Sequence, residues 1–235
     1  MQTLYSIQDA SVNFIKSEGQ ETRYVRRVDE YFIAYISSHN GCNQACRMCH
    51  LTQTGQTIMD PSSPDNMVNQ AKTVFQHYKA QIESGKEPSA KKVHFNWMAK
   101  GEPLLNPSLM IDWTWIQEHL HQLSVQAGLE SSSFKISTIM PSSMPRALDF
   151  DEHPPELYYS LYSLDPQFRK RWLPKAMDPV QALDKLTVFQ SKGGKVTLHW
   201  AFIEGENDSL EGAGKIVELV KKSVTSGTST RKVSS

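Results

Sequence analysis

The stretch "YFIAYISSHNGCNQACRMCHLTQTG", residues 31–55, joins an apolar, β-rich run to a loop that holds every cysteine of the chain. Cys42, Cys46 and Cys49 are the only cysteines in 235 residues, and they fall within eight positions. Three cysteines cannot pair completely, so their crowding argues against a disulfide framework and leaves the thiols free to bind something. The run before them, residues 31–38, is typical of a buried strand. The sequence therefore predicts a ligand-binding loop at the end of a strand.

The chain after this loop alternates strand and helix patterns. Strands are predicted at "VHFNWM", "FKISTIM", "LYYSLYSL" and "VTLHWAFI". Helices are predicted from the Ser63 cap and Pro64 to Gly85, over residues 108–127, weakly after "FKISTIM", over 179–191 before Gly193, and over 209–222. Such alternation predicts an α/β fold with a parallel sheet, open or rolled toward a barrel. Chemistry in such folds gathers where the strands end, and the distinctive loops of this chain all follow strands.

Three regions are predicted along the chain. Residues 1–30 alternate apolar and polar positions and predict an N-terminal β-hairpin extension. Residues 31–222 form the core, and residues 223–235 are a Ser/Thr-rich tail. The 25 basic and 25 acidic residues cancel, so no strong global field draws the chain to nucleic acid or membrane. With no signal-peptide layout and no apolar span, we expect a cytoplasmic protein without a membrane partner; the oligomeric state is left open.

The cysteine spacing favours an iron–sulfur cluster. Three intervening residues and then two let three thiolates reach one cuboidal cluster from a single loop, leaving one of its four irons without a protein ligand. An open metal position is a catalytic feature. One alternative is a zinc site with His50 as the fourth ligand, but zinc sites normally draw paired ligands from two separate loops, and His50 adjoins Cys49. The other alternative is three buried cysteines without a ligand.

Cys-x3-Cys-x2-Cys after the first strand of a repeating β/α chain resembles the signature of the radical S-adenosylmethionine (SAM) superfamily. The resemblance implies a partial (β/α) barrel of five to six parallel strands. It also implies that Cys42, Cys46 and Cys49 hold a 4Fe-4S cluster whose open iron binds SAM. In that superfamily one electron from the cluster cleaves SAM to methionine and a 5′-deoxyadenosyl radical, and the protein positions the cofactor and excludes water.

Later segments narrow the resemblance to the RlmN/Cfr adenosine methyl synthases. "KGEPLLNP", residues 100–107, resembles their Gly-Glu-Pro-Leu-Leu-Asn motif, which implies that Gly101 and Glu102 contact SAM. "KISTIMPS", residues 135–142, and "YSLYSLDP", residues 159–166, resemble two further loops of the family. The resemblance assigns SAM contacts in those loops to Ser137, Ser160, Leu161 and Tyr162, of which Tyr162 replaces the family's histidine.

The residue types alone leave other interpretations open. Glu102 also suits the first turn of a helix, where an acid is favourable with the helix dipole. Ser137 and Ser160 also suit ordinary hydroxyls at strand ends. Upstream, "ETRYVRR", residues 21–27, is similar to the family's Glu-Thr-Val-Tyr-Ile-Pro, which implies that Glu21 is the general base; an exposed hairpin carboxylate is the other interpretation.

The chain also departs from the family pattern. Tyr35 stands where the family has a cysteine that resolves the protein–RNA adduct, and no cysteine follows Cys49 to carry the methyl group. A phenol does not replace a thiolate in either role, so we expect no methyl transfer through a methyl-cysteine. The family's N-terminal RNA-binding domain and C-terminal cysteine region are expected to be missing. The end "RKVSS" falls about where a sixth strand would begin, which suggests either an incomplete barrel or a truncated chain.

The resemblance implies an RNA base as substrate, in rRNA or tRNA, and an external electron donor such as flavodoxin or ferredoxin. Local basic clusters, Arg23 with Arg26 and Arg27 and then residues 169–171, are of the kind that meets phosphates, although solvated faces are their commoner role. Two other functions stay open: a radical SAM oxidoreductase with a substrate other than RNA, and a non-catalytic protein that binds an iron–sulfur cluster or zinc.

Overall fold

The computed structural model describes residues 1–16, 19–145, 147–150, 153–225 and 232–233. The strands are β1 (Gln2–Tyr5), β2 (Ser11–Ile15), β3 (Glu21–Val25), β4 (Tyr31–Tyr35), β5 (Lys92–Trp97), β6 (Ser131–Thr138), β7 (Glu156–Ser160), β8 (Lys195–His199) and β9 (Lys232–Val233). The helices are α1 (His50–Gln53), α2 (Pro64–Glu83), α3 (Pro107–Ile111), α4 (Trp113–Gln126), α5 (Pro166–Trp172), α6 (Pro179–Ser191) and α7 (Leu210–Thr225), with a 3-10 turn at Pro103–Leu105.

The described strands form one sheet whose spatial order follows the chain from β1 to β9. Strands β4 to β9 are parallel neighbours, which confirms the predicted α/β class and the five to six parallel strands. The predicted N-terminal β-hairpin extension is confirmed as antiparallel, and it has three strands rather than two. Strands β1, β2 and β3 form an antiparallel meander, and β3 also pairs antiparallel with β4, so the meander continues the sheet.

The hydrophobic core lies on one face of the sheet, against the crossover helices. Along β4, Phe32 and Ala34 are buried, whereas Tyr31, Ile33 and Tyr35 on the other side are only half-buried. The core side is covered by apolar residues of α2, α4 and α6. The sheet face opposite these helices, which carries Tyr35 and its neighbours in register, is called the inner face below.

Several predicted elements differ in their bounds. The helix predicted over residues 108–127 is divided at Asp112, whose φ of −103° and ψ of 20° interrupt the helical geometry between α3 and α4. No helix occurs between β6 and β7 in the described residues 139–145, 147–150 and 153–155, so the weak helix prediction there is wrong. "LYYSLYSL" is a strand only to Ser160, because the chain turns at Tyr162 into α5, which was not predicted.

The Ser/Thr-rich tail lies mostly outside the described residues. Within it, the backbone of Lys232–Val233 pairs in parallel with β8. Of the helices in the described part, none combines the length and apolar character needed to cross a bilayer.

Candidate functional site

A cleft of about 490 Å³ opens where the parallel strands β4 to β8 end. This volume lies within the range of small-molecule and cofactor sites. Eight of the ten predicted site residues line it: Cys42, Cys46, Cys49, Gly101, Glu102, Ser137, Ser160 and Tyr162. Leu161 and Glu21 are not among the lining residues. A second cleft, also of about 490 Å³, lies between α2 and α4 and contains none of the predicted residues.

The loop after β4 is held in part by hydrogen bonds of its own backbone. The Cys42 amide donates to the Gln56 carbonyl at 2.9 Å, and the Arg47 amide donates to the Trp172 carbonyl at 2.9 Å. Gly41 lies so close to the returning strand of the loop that an added Cβ would come within 2.2 Å of the Ile58 carbonyl oxygen. The close approach of the backbone at Gly41 helps to hold the loop, and with it the three cysteines, in one conformation.

Gly41→Ala is expected to displace the cysteine loop, since both clashing groups belong to the backbone. We expect a loss of about 2–3 kcal/mol in the free energy of unfolding, as for other overpacked sites, together with weaker metal retention. Urea unfolding and iron content measure the two effects. Gly55→Ala is the matched control: Gly55 has a φ of +69° but open space around its Cβ position, so only backbone strain of about 1 kcal/mol is expected. Equal effects of the two substitutions would contradict the role of Gly41.

The donor set of the loop fits an iron–sulfur cluster. The three thiols line one cleft, and burial raises the pKa of Cys42 to about 11 and that of Cys46 to about 12. Such thiols need a bound cation to become thiolates. No group of three His, Cys, Asp or Glu side chains in the described part of the chain is arranged to hold a single metal ion. His50 is exposed at the start of α1 and does not line the cleft, which disfavours zinc with His50 as a ligand.

Gly101 and Glu102 lie at the end of β5, beside the cysteine loop. Gly101 has a φ of +97°, and a Cβ there would lie 2.5 Å from both His39 Nδ1 and Ser38 Oγ, so the position accepts only glycine. The Glu102 carboxylate is buried and accepts hydrogen bonds from Thr138 Oγ1 at 2.6 Å and the Ile139 amide at 3.2 Å. Burial raises the pKa of Glu102 to about 7 against the lowering effect of these donors.

Glu102 also occupies the helix-start position that the residue type alone suggested. It precedes the 3-10 turn, and its carboxylate accepts from the Leu104 amide at 3.3 Å. Capping a turn of three residues does not by itself explain why this carboxylate is buried at the edge of a cleft. A buried acid beside a cleft is instead suited to a cationic ligand group, since the ligand would supply the missing charge.

The loop after β7 brings Ser160 and Tyr162 to the cleft. Tyr162 has a φ of +61°, an uncommon backbone conformation for a non-glycine residue. Burial raises the pKa of Tyr162, and the nearby Cys46 and Cys49 add to the effect. Leu161 points into the core instead. Near the end of β6, the Ser137 hydroxyl lies 3.4 Å from Asn96 Oδ1, also at the cleft.

Three polar side chains to which the sequence assigned no structural role donate hydrogen bonds to carbonyls of these loops. Arg169 donates to the carbonyls of Leu161 at 2.8 Å and Met177 at 2.7 Å, and Asn207 donates to the Tyr162 carbonyl at 2.9 Å. Asn106 donates to the Ser38 carbonyl at 2.7 Å and the Ser62 carbonyl at 2.9 Å. Asn106 was visible as part of the "KGEPLLNP" motif, but its contacts were not.

Glu21, the predicted general base, is held in ion pairs. One of its oxygens lies 3.3 Å from an Arg23 guanidinium nitrogen and the other 3.9 Å from Lys100 Nζ. Lys100 also donates to the Gly19 carbonyl and to Gln56 Oε1, both at 2.8 Å, so it ties the meander to the cysteine loop. Glu21 is therefore neither an exposed hairpin carboxylate nor a residue of the cleft wall; its role as a base stays a prediction.

Other residues of the cleft were missed by the sequence reasoning. Asn96, Tyr158 and His199 line the cleft from β5, β7 and β8. Each lies within a segment predicted as a strand, and none of the three belongs to a recognisable motif. The available signal was the two-residue period, which places all three on the inner face, away from the helices.

Comparisons with known proteins agree with the motifs. No family model matches the chain. The chain is 27% identical over 190 residues to a "probable RNA methyltransferase" of Ectopseudomonas mendocina, covering 79% of this chain and 49% of that protein. It is 26% identical over 192 residues to a "probable dual-specificity RNA methyltransferase RlmN" of Lachnospira eligens, again covering 79% and 49%. The chain thus spans about half the length of the curated relatives it matches.

The fold has a solved counterpart. The chain matches the crystal structure of a radical SAM methyltransferase from Sphaerobacter thermophilus with a TM-score of 0.70 and 18% identity, over 99% of this chain and 64% of that one. The sequence relatives confirm the predicted resemblance to RlmN, and the structural match confirms the predicted fold. The chain is accordingly similar in sequence to RlmN-type RNA methyltransferases and similar in fold to a radical SAM methyltransferase.

Proposed function

We propose that the chain is a radical SAM enzyme of the RlmN/Cfr type that acts on a base of rRNA or tRNA in the cytoplasm. The observation that carries the proposal is the shared cleft, in which three cysteines of one loop face a buried glutamate and the ends of neighbouring parallel strands. The names of the sequence relatives support RNA as the substrate. Because the chain spans only half of their length, the activity of the complete relatives is extended to it as part of the proposal.

Each residue has a proposed task. Cys42, Cys46 and Cys49 hold a 4Fe-4S cluster, which with SAM supplies methionine and a 5′-deoxyadenosyl radical when reduced by a donor such as flavodoxin or ferredoxin. Glu102, ionised by the approach of a cation, accepts the ammonium group of SAM in a charge-assisted hydrogen bond. Gly101 allows the backbone to approach closely, since no Cβ fits there.

The remaining contacts come from the ends of β6 and β7. Ser137 and Ser160 offer hydroxyls to SAM from the cleft wall, and Tyr162 borders the same site. Leu161 is proposed to contact SAM only through its backbone, since its side chain lies in the core. The apolar residues Met48, Trp97 and Leu173 line the cleft as well, and they limit the access of water. Glu21 is proposed as a base that acts only after its ion pairs with Arg23 and Lys100 are loosened by substrate.

The reconstituted chain, reduced with dithionite, is expected to release 5′-deoxyadenosine from SAM. The measurement is liquid chromatography with mass detection after anaerobic incubation, with the protein lacking its cluster as the control. A cluster-loaded chain that binds SAM and releases no 5′-deoxyadenosine would favour the alternative of a non-catalytic iron–sulfur protein.

The fate of the methyl group separates the remaining alternatives. Tyr35 lies on the inner face of β4, outside the cleft wall, and the Arg23 guanidinium lies 6.0 Å from its ring centroid. A phenol held there cannot form the disulfide of the family route, so the proposal includes SAM cleavage without the methyl-cysteine route. The alternative enzyme is a radical SAM oxidoreductase that acts on a substrate other than RNA.

A further inference from the structure

The inner face of the sheet carries a row of polar side chains that extends from the cleft. Register pairs link Asn13 to Arg23, Arg23 to Tyr35, Tyr35 to Asn96, Asn96 to Lys135, Lys135 to Glu156, and Glu156 to Lys195. Paired residues on neighbouring strands point to the same side of a sheet, so these side chains form one row. The row contains three cations and one carboxylate, and Asn96 at its centre lines the cleft.

Lys135 is the cation of this row that lies next to the cleft. Its Nζ donates to Tyr158 Oη at 3.0 Å, and Tyr158 lines the cleft. Among the described residues, no carboxylate forms an ion pair with Lys135. Its register partner Glu156 is instead engaged by Thr197 Oγ1 at 2.8 Å. An ammonium group has three donors, so Lys135 keeps donors available beside the cleft.

The surroundings of Lys135 favour an anion. Burial, together with the charges of Lys135 and Lys92, lowers the pKa of His94 to about 4, so that imidazole stays neutral beside two cations. Farther along the row, Arg23 Nε and Asn13 Oδ1 are buried and have no hydrogen-bond partner among the described residues. Buried polar atoms are normally satisfied, so this end of the inner face is suited to a polar ligand.

We propose that Lys135, beside Tyr158, binds a phosphate group of the substrate on the inner face. The inference rests on the proposed function for the choice of a nucleotide as the ligand. The aromatic surfaces of Tyr35 and Tyr158 lie on either side of Asn96 and Lys135 in this face and are suited to stack on the attached base. The phosphate comes either from an RNA strand or from a free mononucleotide, and the chemistry that recognises it is the same.

Isothermal titration of the full 235-residue chain with AMP and with adenosine tests the site. The wild type is expected to bind AMP about tenfold more tightly than adenosine, as one charge-assisted contact implies. Lys135→Gln is expected to remove this preference, and Lys135→Arg to retain part of it. Lys79→Gln is the control, because Lys79 is exposed on α2; it should retain the full preference. The phosphate-dependent difference separates this site from binding of the adenosine group elsewhere in the cleft.

A single-stranded RNA pentamer, titrated against the same variants, identifies the source of the phosphate. If Lys135→Gln weakens only the pentamer by about tenfold, the phosphate belongs to a strand; if it removes only the AMP preference, the phosphate belongs to a mononucleotide. Either result supports the site. The proposal is overturned if the wild type binds neither probe, or if Lys135→Gln behaves like Lys79→Gln with both. Circular dichroism checks folding, and Lys135→Arg remains informative if Lys135→Gln does not fold. The titration needs no turnover. If the chain prefers AMP but releases no 5′-deoxyadenosine, the phosphate site is supported and the proposed function is contradicted.

Discussion

Anaerobic reconstitution of the wild-type chain is expected to give about four irons and four sulfides per chain with a brown chromophore, and the Cys42→Ser, Cys46→Ser, Cys49→Ser triple variant is expected to give almost none. The reason is that all three thiols line one cleft and that the chain has no other cysteine to replace them. Iron, sulfide and the visible spectrum are the measurements. No other substitution considered for this protein should have so large an effect on a bound group.

His50→Ala is the control that separates a cluster from zinc. His50 is exposed and lies outside the cleft, so its removal is expected to leave the iron content unchanged. A zinc site with His50 as the fourth ligand would lose its metal with this substitution as readily as with a cysteine substitution. Stoichiometric zinc in the wild type without a chromophore would overturn the cluster assignment.

Glu102→Gln is expected to have opposite effects on stability and on SAM binding. The pKa of Glu102 is about 7 in the folded chain, because burial disfavours the carboxylate. The folded chain therefore holds this proton at pH values where the unfolded chain has released it. The free energy of unfolding consequently falls as the pH rises from about 4.5 to about 7, by on the order of 3 kcal/mol. Glutamine cannot ionise and loses roughly 1 kcal/mol at one of the carboxylate's hydrogen bonds.

At pH 8 and without cluster or SAM, the Glu102→Gln chain should therefore be more stable than the wild type by roughly 2 kcal/mol. This advantage should disappear as the pH falls, and below about pH 4.5 the variant should be less stable by roughly 1 kcal/mol. In the reconstituted protein the same substitution should weaken SAM binding about a hundredfold, since the ammonium loses its only proposed charged partner. Urea unfolding across pH and equilibrium dialysis of SAM measure the two effects. Glu130→Gln, at an exposed position, should change neither. A variant that is less stable at every pH and binds SAM normally would make Glu102 a structural cap.

The sequence predicted the elements whose signals are local. Helix α2 begins where Ser63 accepts a hydrogen bond from the Asn66 amide and ends at Glu83, before Gly85 with its φ of +70°, as the cap and the glycine indicated. The cysteine loop and the Gly-Glu motif were readable because each is a short run at fixed spacing. Their meeting in one cleft followed from the parallel order of the strands alone.

What the sequence could not predict depends on register and on tertiary contacts. The alternation in residues 1–30 indicated strands, but the pairing of β3 with β4 is a contact between chain segments and leaves no local pattern. Similarly, "YFIAYISS" was predicted as a buried strand, although its Tyr35, like Lys135 of "FKISTIM", is half-buried on the inner face of the sheet. Arg169 was read as part of a basic cluster, although its guanidinium is buried against carbonyls.

Arg169, Asn106 and Asn207 each donate hydrogen bonds to backbone carbonyls of the cleft loops, and these contacts are called clasps here. They fix the backbone of the loops without involving the loop side chains. Each clasp holds carbonyl oxygens, which every amino acid possesses, so the geometry of the cleft does not depend on which side chain a loop residue carries. A tyrosine can thus stand at position 162 where relatives of this type are expected to have histidine, with the backbone still held through its carbonyl. The loop side chains can therefore change without loss of the cleft's geometry, whereas a substitution of Arg169, Asn106 or Asn207 would remove a contact that maintains it.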